Sequence, residues 1–117
     1  MQARPSSFHR LIVLDLAIEA IAFARPLVAR IRRADRDLGE QLRRALSSVP
    51  LNIAEGASSE GGNRLSRYST AAGSTAESRA AFRVAVAWGY VEPGEADAVD
   101  AQLDRIAGML HGLGARR

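Results

Sequence analysis

Four stretches of the chain repeat apolar residues at the period of an α-helix, and none alternates as a strand would. The pattern is cleanest near the C-terminus, where Val99, Leu103, Ile106, Leu110 and Leu113 follow at alternating spacings of four and three while Asp97, Asp100, Asp104 and Arg105 fall off the stripe. A helix over about 94–113 is therefore predicted to have one apolar and one wet face, with Pro93 and its acidic neighbours suited to a first turn. The first helix, over about 8–33, has a different pattern. Leu11, Leu14, Ile18, Ile21 and Val28 make one stripe and Val13, Ala17, Ala20, Ala24, Leu27 and Ile31 another, leaving only a narrow polar strip around Asp15 and Glu19. A single small bundle covers one side of such a helix, so the other side is predicted to meet a second subunit. Pro26 is expected to kink its later half.

Asp37 with Glu40 three residues on has the form of a capping box and is read as opening a second helix over about 37–56, with Leu38, Leu42, Ala45, Val49 and Ile53 on its inner face. Pro50 lies inside that pattern; it removes a backbone donor at a cost of roughly 3 kcal/mol, which argues against an uninterrupted straight helix. The group Ala57 to Gly62 is a loop by composition. A third helix, over about 63–88, places Leu65, Tyr68, Ala72, Ala76, Phe82 and Val86 on one side. Gly73 at its centre costs about 1 kcal/mol relative to alanine, so a closely packed neighbouring helix is the expected reason for it. Short connections between four helices predict a single domain over residues 1–117, all-α, folded as an up-down-up-down four-helix bundle.

The run Val49-Pro50-Leu51-Asn52-Ile53-Ala54-Glu55-Gly56 puts a proline, an amide and a carboxylate into an otherwise apolar helical pattern. With Gln41-Leu42-Arg43-Arg44-Ala45 before it and Ala72-Gly73-Ser74-Thr75-Ala76-Glu77 after it, the run resembles the four-helix-bundle proteins encoded in intervening sequences of bacterial large-subunit ribosomal RNA. The accessory proteins of diversity-generating retroelements look similar. Ala87-Trp88-Gly89-Tyr90 looks like the family's end of helix three and Gly108-Met109-Leu110-His111-Gly112-Leu113 like its last helix, so the resemblance runs from about Arg10 to Leu113. Where relatives often carry a tryptophan this chain has Leu14, and where they often carry a basic run after the Glu-Gly pair it has Ser58-Ser59-Glu60-Gly61-Gly62. The resemblance implies a non-enzymatic accessory protein assembled as a homopentameric ring of bundles. In the retroelement relatives it implies a reverse transcriptase and its template RNA as partners.

At 117 residues there is room for one modest core. The absence of cysteine excludes disulfides and thiolate metal sites and permits a reducing compartment, with cytoplasm as the default. Asp15 and Glu19 interrupt the N-terminal apolar run, which is read as neither signal peptide nor membrane span. All sixteen cationic side chains are arginine, and thirteen acids bring the net charge to only +3. Their distribution is uneven: seven arginines against three acids between Arg25 and Arg44, five acids and no base between Glu92 and Asp104. Such asymmetry could steer an anionic partner to one face or draw the two segments together.

Arg30, Arg32, Arg33, Arg36, Arg43 and Arg44 are the candidate nucleic-acid-binding residues, because guanidinium groups engage phosphate bidentately and a ring would repeat the patch. The alternative is a solvated helix end with local ion pairs, in a protein-interaction ring that binds no RNA or nucleoprotein. Asn52, Glu55, Gly56, Gly73, Ser74 and Glu77 are expected to form a buried structural network, with Arg43, Arg44 and Arg67 as partners of the two carboxylates. A catalytic pairing of Glu55 with Glu77 would need a pocket and a substrate group near both. A dimetal centre would need Glu-x-x-His pairs, and the residues three before His9 and His111 are Ser6 and Gly108, so neither metal nor other cofactor is expected. Both histidines are read as surface residues.

Overall fold

A computed structural model describes residues 5–115, with side chains from Ile12 to Ala115; His9 and Leu11 are outside the described side chains. Four helices follow in order, α1 (Pro5–Ala34), α2 (Arg36–Ala57), α3 (Gly61–Trp88) and α4 (Asp97–Gly112), with a 3-10 turn, Pro93–Ala96, leading into the last. There is no strand among the described residues. Helices adjacent in sequence pack side by side and α4 closes back on α1, an elongated bundle of 51 × 22 × 19 Å. No helix among the described residues is long and apolar enough to cross a membrane.

The buried stripe of α1 is Val13, Ala17, Ala20, Ala24, Leu27 and Ile31, the second of the two stripes in its sequence. Its other stripe is only half-covered, and Ile18 stands exposed. In α4 the buried residues are Val99, Leu103, Ile106 and Leu110, as the spacing requires. The inner face of α3 differs from the predicted one. Tyr68, Ala71, Thr75, Ser78, Phe82 and Ala85 are buried, whereas Leu65 and Ala76 are exposed. Two hydroxyl residues reach the core because each is absorbed by its own helix: Thr75 donates to the Ala71 carbonyl and Ser78 to that of Ser74, both at 2.8 Å.

Neither internal proline ends its helix. Pro50 is buried on the core side of α2, so packing of its ring offsets the missing backbone donor. The N-cap of α2 is Asp35, not Asp37, its carboxylate accepting from Leu38 N–H at 3.0 Å. Glu40, expected to complete a box with Asp37, instead pairs with Arg32 of α1 at 2.5 Å. Close packing occurs at glycines other than Gly73, which is exposed with no atom beyond its own stretch of helix within 4 Å of where a Cβ would stand. Gly56 lies against the ring of Tyr68 and Gly39 against Arg32, which brings α2 close to α3 at one end and to α1 at the other.

Candidate functional site

The α1–α2 turn and the α3–α4 connection meet at one end of the bundle. Gly89, left-handed at φ 82°, closes α3 in a Schellman arrangement: Tyr90 N–H bonds to the Ala85 carbonyl and Gly89 N–H to that of Val86, both at 2.9 Å. Tyr90 then reaches the α1–α2 turn, its hydroxyl donating to Asp35 at 3.1 Å. Desolvation first, and then this bond to Asp35, raise the Tyr90 hydroxyl above its ordinary pKa. Beside it, Arg30 makes a bidentate pair with Glu95, at 2.5 and 3.0 Å. The hydrogen bond from Arg30, followed by one from the Glu92 N–H, holds the Glu95 carboxyl down at about 2.

Of the six candidate arginines, Arg30 and Arg32 are therefore engaged by Glu95 and Glu40. Arg33, Arg36, Arg43 and Arg44 are exposed and make no ion pair among the described residues. Ala29, Arg32, Arg33 and Arg36 line a shallow groove where α1 passes into α2. The acid run of the C-terminal segment meets the rest of the chain chiefly through Arg79 of α3, which bridges Asp100 and Asp104 at 2.9 Å each. Hydrogen bonding to Asp100 pushes the Arg79 guanidinium above its ordinary pKa.

The expected buried carboxylate network does not form within the chain. Glu55 and Glu77 are both exposed; Glu55 stands 3.9 Å from Arg67, and Glu77 makes no hydrogen bond or ion pair among the described residues. Their side chains project away from the core, so neither carboxylate leaves water and neither needs a buried partner. Arg43 and Arg44, proposed as those partners, are equally exposed. Asn52 and Ser74 do meet, through a residue the sequence reading passed over: both hydrogen-bond Ser48 Oγ, at 3.0 and 2.7 Å. The signal for Ser48 was its position one turn before Asn52, on the flank of α2 that faces α3.

An open depression of about 840 Å³ runs between α3 and the start of α4, lined by Ala76, Ala80, Val86, Pro93 and the Arg79–Asp100 pair among others. Neither Glu55 nor Glu77 lines it, so the geometry a paired acid–base site requires is not assembled. No cluster of three or more His, Asp or Glu able to hold a metal is present among the described residues, and His111 is exposed in the last turn of α4.

Residues 10–112 match the family model of the 23S rRNA-intervening sequence protein. The chain belongs to that family. Neither the curated proteins nor the solved structures contain a match. The matched segment takes in all of α2, α3 and α4 and most of α1, so the family pattern covers the whole bundle, including the arginine-bearing turn and the Val49–Gly56 run. Within that segment Pro50, Ile53 and Gly56 are buried on the inner side of α2.

Proposed function

We propose that this intervening-sequence protein is a non-enzymatic accessory protein that works as a ring of identical copies and binds RNA through Arg33, Arg36, Arg43 and Arg44. The observation that carries the reading is that these four guanidinium groups are exposed and free of ion pairs among the described residues, while the neighbouring Arg30 and Arg32 are neutralised within the chain. Assembly is supported by bulky apolar side chains in water on three helices: Ile18 and Phe23 on α1, Leu51 on α2 and Val84 on α3. The resemblance points to five copies. A small arginine patch repeated around a ring becomes a multivalent surface, in which several weak phosphate contacts act together.

The test is binding of the purified, nucleic-acid-free protein to structured RNA and duplex DNA over a range of salt concentrations, with sedimentation to fix the number of copies. The expected result is tight RNA binding that weakens steeply with salt, and loses most of that slope when the four arginines become glutamine. A second reading, a protein-interaction ring that touches no nucleic acid, draws on Asp37 and Glu92, which are exposed near the same end and temper its positive charge. Absence of binding at low salt, with the ring intact, decides for that reading.

A further inference from the structure

Trp88 is the only tryptophan of the chain, and at 69% exposure it is the most exposed of the large apolar side chains among the described residues. It stacks on Tyr90 with ring centroids 6.4 Å apart and planes inclined by 17°, an offset arrangement within the favourable range for aromatic pairs. The Schellman closure at Gly89 sets the two rings in place, and the Tyr90 hydroxyl ties them to Asp35, between Arg33 and Arg36 in the turn.

We infer that Trp88, backed by Tyr90, is a stacking platform for an unpaired base of RNA whose flanking phosphates lie on Arg33 and Arg36. This assignment rests on the RNA-binding reading above and adds to it a preference for single-stranded segments. An exposed indole held by a helix end and a second ring presents a flat π-face at little conformational cost, and any unpaired base can stack on it. A base inside a duplex cannot, because its faces are already covered by its neighbours. Arginines alone would not make this distinction, since both forms of RNA carry the same phosphates.

The lone tryptophan supplies its own readout. The full chain is titrated with a short oligouridylate and with an RNA duplex of equal length, following Trp88 emission and, in parallel, the anisotropy of labelled RNA. Stacking predicts that the single strand quenches Trp88 while the duplex does not. Trp88→Ala should weaken single-strand binding about tenfold, leave duplex binding within about twofold of the parent, and be largely rescued by Trp88→Phe. Single-strand binding with no quenching and no effect of Trp88→Ala would overturn the platform while leaving the arginine reading in place. Failure of both RNAs to bind at low salt would overturn the arginine reading and the platform with it. A change in sedimentation of Trp88→Ala would place the indole in a contact between copies and likewise overturn the assignment.

Discussion

Gly56 sits where α2 crosses α3, and the contrast with Gly73 isolates what close packing contributes. A Cβ at Gly56 would stand 2.7 Å from Tyr68 Cδ1 and 3.2 Å from Cζ, against the 3.4–4 Å of ordinary contact. Tyr68 is 1% exposed, so its ring has little room to retreat. Overpacking of this kind costs about 1–3 kcal/mol, and replacing a helical glycine by alanine returns about 1 kcal/mol of propensity. Gly56→Ala should therefore be neutral to destabilising by about 2 kcal/mol. At Gly73 no atom beyond its own stretch of helix lies within 4 Å of where a Cβ would stand, so only the propensity gain remains and Gly73→Ala should stabilise the fold by about 1 kcal/mol. The two variants should differ by roughly 4–12 °C in Tm, at about 4 °C per kcal/mol for a chain of this size. Thermal and urea unfolding followed by far-UV circular dichroism would measure the gap. The comparison is made at equal protein concentration, because any self-association would make Tm concentration-dependent. The loss in Gly56→Ala should shrink in a Tyr68→Leu background, where the ring is gone. If Gly56→Ala proves as stable as Gly73→Ala, the close approach of α2 and α3 at this point is wrong.

Three other perturbations test the remaining contacts. Asp35→Ala removes both the α2 cap and the acceptor of the Tyr90 hydroxyl, and should lower stability by about 1–2 kcal/mol in urea unfolding, with Asp35→Asn retaining most of the cap. Ser48→Ala removes the hub between Asn52 and Ser74 at a cost of about 1 kcal/mol, and Ser74→Ala should add little in that background because the shared bond is already lost. The Glu95 carboxyl is depressed from 4.5 to about 2, so its contribution is present above the unfolded value and disappears as pH falls through that window. Glu95→Gln should thus be slightly less stable than the parent at neutral pH and converge with it toward pH 2, and added salt should narrow the neutral difference because the pair is exposed.

The four helices and their order were legible because period 3.6 survives in any chain that buries one face of each helix. The stripe of α4 and one of the two stripes of α1 are the buried ones. On α3 the pattern misled, since Thr75 and Ser78 look like surface residues until their hydroxyls are seen to bond their own helix. The pairing of arginines was illegible for a different reason. Arg30 and Glu95 are 65 residues apart, and only the closure of the bundle brings the α3–α4 connection onto the end of α1. Glu55 and Glu77 were read as buried because they neighbour core positions in sequence. On a helix the residue next to a core position can point to water, and theirs do.

The Val49–Gly56 run carries the sequence resemblance, and the fold accounts for half of it. Val49, Pro50, Ile53 and Gly56 are buried between α2 and its neighbours, and Asn52 is held by Ser48. Leu51, Ala54 and Glu55 are on the outside, and Leu51 is 66% exposed. A bundle that acted alone would gain nothing from a leucine there, and solubility would favour a polar residue. The same holds for Ile18 on the half-covered stripe of α1 and for Val84 on the outer side of α3. These positions share one physical property, apolar bulk left in water by a chain whose own core is complete without it. An assembly of copies would remove that bulk from water with no further element, while leaving the unpaired arginines of α2 for a partner.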